Sequence, residues 1–461
     1  MKKIILCILL SAVIGGYAYQ KVNSDINAEE ILAQSQLKNR QFKAEVKEIT
    51  ADDGKIKAYV MEEHSLPLVA MSFGFAKSGQ AYENKEGTGL LIDSVLLDGT
   101  KQHTRQELRD FMKEKGIKVG VSVSADRMDF SLSYVKQFEQ EATEILKEIL
   151  YEPLFADSDL DLARRQLAVA RQQQLENPQY YLGKLIDKHF YKEHPYGRDN
   201  IPEEEKLKAI SGDDIRAYMK DSMTKDRLAI GIAGDITEAE AVALMEKVFK
   251  GLQDSGDERE LPKLEADFTE EKQVDTLDFS KQSFVYMMGK GIKRLDDDFY
   301  PLYLADYIFG GSGLNSRLNK AVREKEGLTY GIYSYFSNTD AINLWQIAFS
   351  ATPENAAKAI EVADGEYRRF YNEGVSAEEL NLAKESLLSA FNLRFASLFN
   401  IAEMLRIMMV EKLGVDFLEK RQDMVRAVTL EAVNDAIKRK MPKQLNGKGG
   451  VRVFEVMGSK G

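Results

Sequence analysis

Residues 211–234, SGDDIRAYMKDSMTKDRLAIGIAG, and residues 429–458, TLEAVNDAIKRKMPKQLNGKGGVRVFEVMG, carry the same features in the same order. Each opens on a hydroxyl residue, Ser211 or Thr429, placed to accept a hydrogen bond from the free N–H groups of a helix start. Each then runs through a helix and a polar connection into an apolar strand that ends on glycine, Gly234 or Gly458. A helix-connection-strand unit that recurs after roughly 200 residues marks an internal duplication. The expected architecture is therefore two copies of a two-layer α+β unit, each with a sheet packed by helices.

The rest of the chain fits two such copies. Lys55 to Met61 and Leu66 to Ala76 read as paired strands, and in the second Val69, Met71, Phe73 and Phe75 alternate, so one sheet face is buried. Gly87 to Leu97 reads as an apolar helix. Thr104-Arg105-Gln106-Glu107 is a capping box opening a helix that stops at Gly116. Val119, Val121 and Val123, then Met128, Phe130 and Leu132, alternate as a hairpin turned at Ala125-Asp126. Helices follow over 136–151, 157–175 and 179–191, then the helix capped at Ser211, a strand over 227–232 and a helix over 238–249. Residues 253–273 are charged, with Gly256 and Pro262, and read as a linker. Beyond them the order repeats: a strand at 283–288, helices at 298–310 and 314–324, strands at 328–336 and 343–351. Helices then start at Pro353, at the Ser376-Ala377-Glu378-Glu379 capping box, at Leu398 and at Thr429, before a last strand at 451–456.

The chain has 461 residues, 44% hydrophobic and 30% charged with only 9 prolines, which excludes disordered and collagen-like classes. Acidic groups outnumber basic ones, 74 to 63, for a formal charge of -11, a balance that disfavours a nucleic-acid partner. The single cysteine, Cys7, lies in a segment with Lys2 and Lys3 ahead of the apolar run Ile4 to Gly16, and Gly16-Tyr17-Ala18 resembles a small-x-small cleavage site. The expectation is a signal peptide over 1–18 cut after Ala18, a polar lead-in over 19–40, and an exported, periplasmic protein without cysteine. The apolar run is short against the ~20 residues of a membrane span, so no stable span is expected after cleavage, with retention as an anchor left open. The remaining boundaries expected are an N-terminal domain over 41–252, the linker over 253–273 and a C-terminal domain over 274–461.

One stretch is more specific than periodicity. Phe309-Gly310-Gly311-Ser312-Gly313-Leu314-Asn315-Ser316-Arg317-Leu318, continuing through Val322-Arg323-Glu324-Lys325-Glu326-Gly327-Leu328-Thr329-Tyr330, resembles the C-terminal-half signature of the pitrilysin/insulinase-type zinc peptidases, the inverzincins. Gly87-Thr88 through Gly99-Thr100 and His194-Pro195-Tyr196-Gly197 resemble its N-terminal half. The resemblance spans nearly everything after residue 40. It implies two homologous α/β-roll halves, each a mixed sheet packed by helices, forming half of a clamshell around a chamber. It also implies zinc held in an active first half on an inverted H-x-x-E-H helix.

This chain departs from that pattern. Against the family motif, Leu90, Asp93 and Ser94 stand where the first histidine, the catalytic glutamate and the second histidine belong. Zinc takes about four nitrogen, sulfur or oxygen donors, and leucine and serine do not replace two imidazoles. The family's third ligand, placed by spacing from Glu176-Asn177-Pro178, falls near Ala170 or Arg171, where there is no carboxylate. The four histidines, His64, His103, His189 and His194, offer no substitute set and are expected to be structural or exposed. No metal or other cofactor is thus expected in this chain; zinc is expected in a partner subunit.

Arg323 and Tyr330, seven residues apart at a helix-to-strand junction, match the family's arginine and tyrosine that reach substrate across the chamber. An arginine can anchor a peptide carbonyl, and a phenol can donate to a developing oxyanion. Taken by periodicity alone they would be a surface arginine and a half-buried strand tyrosine. Gly310, Gly311 and Gly313 lack the lysine and preceding strand of a phosphate loop and read as conformational freedom between two helices. Met404, Met408 and Met409 read as helix core, and Trp345 as part of the second core. Two functions follow. The chain is the non-catalytic subunit of a heterodimeric zinc peptidase, lending Arg323 and Tyr330 to the zinc site of an H-x-x-E-H homologue that cleaves peptides. Alternatively it is an inactive homologue acting, alone or as a homodimer, as a peptide-binding or structural scaffold.

Overall fold

The computed structural model describes residues 45–268, 272–446 and 450–459; the expected signal segment, the lead-in and Phe42 lie outside them. In the first half the chain runs β1 (Lys47–Ala51), β2 (Ile56–Glu62), β3 (Leu68–Phe75), α1 (Thr88–Val95), α2 (Arg105–Lys115), β4 (Lys118–Val123) and β5 (Met128–Val135). It continues through α3 (Glu139–Tyr151), α4 (Asp157–Leu175), α5 (Pro178–Ile186), α6 (Glu204–Lys208), α7 (Gly212–Ser222), β6 (Leu228–Gly234) and α8 (Glu238–Phe249). The strands form one mixed sheet in the order β1-β2-β6-β3-β5-β4. The strands expected to pair, 55–61 and 66–76, are therefore not neighbours. β6 lies between them, parallel to β2 and antiparallel to β3. The reason is in β6 itself: it is buried on both faces apart from its first residue, a pattern suited to a central strand and not to an edge.

The second half contributes β7 (Gln273–Leu277), β8 (Ser283–Lys290), α9 (Phe299–Asp306), β9 (Ile332–Asn338), β10 (Asn343–Ala351), α10 (Pro353–Glu373), α11 (Ala377–Asn392), α12 (Leu398–Val410), α13 (Phe417–Ala427), α14 (Leu430–Lys440) and β11 (Arg452–Gly458). Its sheet has the order β7-β11-β8-β10-β9, with β11 parallel to β7 and antiparallel to β8. Removing β1 from the first sheet leaves the same order and directions, so the duplication read from 211–234 and 429–458 is a duplication of topology. In both halves the last strand is inserted beside the first.

Local chemistry explains several helix starts. Thr104 with Glu107, Ser211 with Asp214, and Ser376 with Glu379 each form both hydrogen bonds of a capping box, worth on the order of 1 kcal/mol each. Thr237 with Glu240 forms another, at the start of α8. The expected helices over 298–310 and 314–324 are not continuous α-helix. α9 widens into a π-turn over Tyr307–Gly311, and Asn319–Lys325 is also π-helical. Residues 328–331 lie outside β9, which starts only at Ile332.

Each sheet buries an aromatic core under its helices. Phe73 stacks on Phe130 at 4.9 Å and meets Phe249 edge-on at 5.0 Å. In the second half Phe309, Trp345, Tyr367 and Phe370 form the equivalent cluster. The other face of each sheet is covered by a helix from the opposite half. α12 crosses β6, β3 and β2, and a Cβ on Gly231 would stand 2.8 Å from Leu405 Cβ, so glycine permits the approach. Arg406 on α12 donates to Ser72 Oγ at 3.0 Å and Asp129 Oδ1 at 2.7 Å. Reciprocally, Leu182, Leu185 and Ile186 of α5, with Phe190, pack on Met288, Leu344, Phe454 and Val456 of the second sheet. Of the methionines read as helix core, Met404 and Met408 are indeed buried on α12.

Candidate functional site

Leu90, Asp93 and Ser94 share one face of α1, which packs on α4, β4 and α7. Asp93 and Ser94 are exposed and Leu90 partly so, while Leu91, Ile92 and Val95 point into the core. The helix begins at Gly87, whose φ of 101° is left-handed, and no side chain of the N-cap residue caps it. Glu83 does so from outside the helix, its carboxylate accepting from Gly87 N at 2.6 Å and Gly89 N at 2.7 Å. Burial pushes the Glu83 carboxyl up to about 7, against the pull of these two N–H groups and of Arg198. Sequence reading missed Glu83; its position four residues before the N-cap matches no capping box. Packing of α1 also raises the Asp93 carboxyl above its ordinary range, with the Val123 backbone acting in the opposite direction. Ser94 Oγ donates back to Leu90 O at 2.8 Å.

Arg171, near the third expected ligand position, donates to the carbonyl of Ile201 and holds Asp199. The histidines are engaged elsewhere. His64 meets Asp235 at 2.6 Å, His103 meets Glu148 at 2.8 Å, and buried His194 meets Pro262 O at 3.0 Å. His189 also has an interaction partner. Thr100 Oγ1 donates to Glu148 at 2.9 Å, and Tyr196 donates to Asp126, whose other oxygen accepts from Asp340 N at 3.3 Å. Gly99-Thr100 and His194-Pro195-Tyr196-Gly197 are thus architectural, and Tyr196 with Asp126 links the turn between β4 and β5 to the turn between β9 and β10.

In the second half the signature divides into a rigid frame and two unengaged groups. Arg317 grips both oxygens of Glu379 at 2.6 Å each and donates to Gly374 O at 3.0 Å. Asn319, fully buried, donates to Ile332 O at 2.6 Å and Gly313 O at 3.0 Å. Gly310 is not there for conformational freedom: a Cβ on it would fall 2.7 Å from Ser334 N and overlap Ser334 Oγ. Only Gly313 of the three has a left-handed φ, 67°. Trp345 is buried in the second core and donates to Asp306 Oδ1 at 2.7 Å.

Arg323 lies on the π-helical segment, and Gly327, with φ 65°, turns the chain after it. Thr329 Oγ1 donates to Ser350 O at 2.6 Å and anchors the backbone beside Tyr330. Tyr330 itself is 84% exposed, not the half-buried strand residue that periodicity suggested. Among the described residues neither the Arg323 guanidinium nor the Tyr330 hydroxyl has a hydrogen bond or ion pair. The structure thus presents two groups, Leu90/Asp93/Ser94 on α1 and Arg323/Tyr330 around the Gly327 turn, on separate elements of separate halves.

The structure thus has a duplicated mixed-sheet unit, a helix with Asp93 and Ser94 facing solvent where the resemblance places the zinc motif, and a segment with a part-exposed Arg323 and an exposed Tyr330. Family models agree with that resemblance. Residues 59–202 match the insulinase family, peptidase family M16, and residues 209–387 match the M16 peptidase inactive domain; the chain belongs to this family. The second match includes α7, β6 and α8, which the structure builds into the first half. A Helicobacter pylori protein described as the non-peptidase homolog YmxG is 24% identical over 391 residues, 84% of this chain and 89% of that one. The probable inactive metalloprotease YmfF of Bacillus subtilis is 21% identical over 74% of this chain and 83% of its own. Among solved structures, an M16 inactive domain from Pseudomonas fluorescens superposes with a TM-score of 0.81 at 21% identity, covering 90% of this chain and 98% of that one. The Escherichia coli periplasmic protease PqqL superposes at 0.75 and 14% identity over 91% of this chain, but over only 46% of its own.

Zinc, which the family implies, does not fit this chain. The positions expected for the two histidines hold Leu90 and Ser94, and the position expected for the third ligand falls at Ala170 or Arg171, the latter held by Asp199 and Ile201 O. Among the described residues no three His, Cys, Asp or Glu side chains are grouped to hold a metal ion. The chain is an inactive homologue within its family.

Proposed function

We propose that this chain is the non-catalytic subunit of a heterodimeric zinc peptidase, and that it lends Arg323 and Tyr330 to the active site of a homologous H-x-x-E-H subunit. The observation that carries the reading is the contrast within one signature. Arg317, Asn319 and Thr329 are fastened inside the fold, whereas Tyr330 is 84% exposed and neither it nor Arg323 has a partner among the described residues. Holding a backbone rigid while leaving its polar tips unengaged is the arrangement of a preorganised binding segment. Arg323 anchors a carbonyl of the bound peptide, and the Tyr330 hydroxyl donates to the oxyanion as the bond breaks. The superposition on 46% of PqqL supports the need for a second chain, since the longer protein has about twice the length of this fold unit. The reading includes an exported, periplasmic location and peptides as substrates.

Co-expression with a zinc-bearing homologue from the same genome tests the pairing. The expected result is a stable 1:1 complex that hydrolyses peptides, while this chain alone does not. Recovery of this chain only as a monomer or self-dimer in the presence of such homologues contradicts it and favours a scaffold.

A further inference from the structure

Between α9, α11, α12 and α13 lies a cavity of about 500 Å³. Its apolar wall includes Phe391, Met404, Met408 and Phe417, and three arginines, Arg294, Arg394 and Arg421, reach it as well. Arg421 is the unusual member. It is 8% exposed, and its Nη1 is shut off from solvent without a hydrogen-bond partner. Its guanidinium lies 4.1 Å from the centroid of Phe391, a favourable contact that does not replace a counter-ion. Arg294 is spent likewise on rings, 4.2 Å from Phe299 and 5.5 Å from Phe417. Among the described residues none of the three makes an ion pair, in a chain with a formal charge of -11. The buried hydroxyl of Tyr300, close enough to feel the charges of Arg294 and Arg421, also lacks a partner.

A buried guanidinium without an anion is strongly disfavoured, and two neighbouring arginines add repulsion. Burial accordingly lowers the Arg421 pKa, with Arg294 and Arg394 adding to it and Tyr300 and Tyr303 opposing it. An anion entering the cavity would compensate such a cluster, held by the Arg421 donors other than the closed-off Nη1. Glu403 and Glu411 on the same cavity disfavour a ligand with several negative charges, and the aromatic and methionine wall favours an apolar body. The volume suits one amino-acid side chain with its carboxylate, or a medium-length acyl chain.

We propose that this cavity is a binding site for a monocarboxylate with an apolar body, the carboxylate pairing with Arg421 and the body lying against Phe391, Phe417 and the two methionines. A peptide C-terminus and a free fatty acid share this chemistry. The site is separate from the Arg323–Tyr330 segment and does not depend on the subunit reading above.

Calorimetric titration of the full chain with N-acetyl-alanyl-leucine, its C-terminal amide and octanoate tests the site. At least one acid should bind, and Arg421→Met should weaken that acid by about tenfold or more, with Arg421→Lys restoring part of the loss. Binding of the peptide acid with loss on amidation assigns the site to peptide C-termini; binding of octanoate alone assigns it to fatty acids. If Arg421→Met does not fold, Arg394→Ala, at an exposed position, should weaken the same acid several-fold. No binding of either acid at millimolar concentration, equal binding of peptide acid and amide without octanoate binding, or unchanged affinity in the arginine variants overturns the proposal.

Discussion

Single residues in the signature separate into those that shape the chain and those that face outward, and substitutions should separate them too. Gly310→Ala places a methyl group against Ser334, in a π-turn held by packing, and should destabilise the protein by about 1–3 kcal/mol in chemical denaturation. Gly313→Ala meets nothing within 4 Å, so its penalty is the left-handed φ alone, about 1 kcal/mol. Equal effects would show that backbone freedom, not close approach, is what Gly310 supplies. Tyr330→Phe should leave the melting temperature unchanged, because its side chain is 84% exposed. These distinctions are only partly legible in the sequence. The run that includes Gly310, Arg317, Arg323 and Tyr330 points to the family, but nothing in it tells that Arg317 is spent on Glu379 while Arg323 is free. Arg421 carries no sequence signal at all, since its meaning arises from which neighbours are absent.

At the scale of elements, α1 shows how a helix start can be held by a side chain outside the helix. Its start is held by Glu83, whose carboxyl is raised from 4.5 to about 7, so the folded state binds a proton more tightly than the unfolded chain. The stability from that proton is fully present below about 4.5 and is lost as pH rises through about 7, a change on the order of 3 kcal/mol. Asp187 and Asp306, both raised to about 6, act in the same direction, so the difference between the natural chain and Glu83→Gln isolates this group. Denaturation midpoints from pH 4.5 to 7.5 should fall less steeply in Glu83→Gln; parallel profiles would contradict the assignment. Helix starts were legible where a hydroxyl and an acid stand three apart, as at Ser376 and Glu379. Strand neighbours were not: alternation in 66–76 identifies a buried face but is silent on which strand lies beside it, and β6 takes that place from more than 150 residues away in sequence. The short strands β1 and β7 escaped notice because each has only five residues.

Over the whole molecule, the two copies are locked by exchange, α12 over the first sheet and α5 over the second. Arg406→Ala leaves Asp129 and Ser72 without their partner beneath α12 and should cost about 2–3 kcal/mol, read as a lowered midpoint in urea. None of the described helices is long and apolar enough to cross a membrane. On the proposed reading, the duplicated topology, the missing zinc donors and the unengaged Arg323 and Tyr330 make up half of an active site. The most direct test of that proposal is peptide turnover by this chain reconstituted with a zinc-bearing homologue from the same genome. Tyr330→Phe should lower turnover roughly 10²-fold, and Arg323→Ala should weaken peptide binding by about 1.5–3 kcal/mol, with the complex still forming in both. Full activity in a complex carrying both substitutions would contradict the account and leave this chain a scaffold.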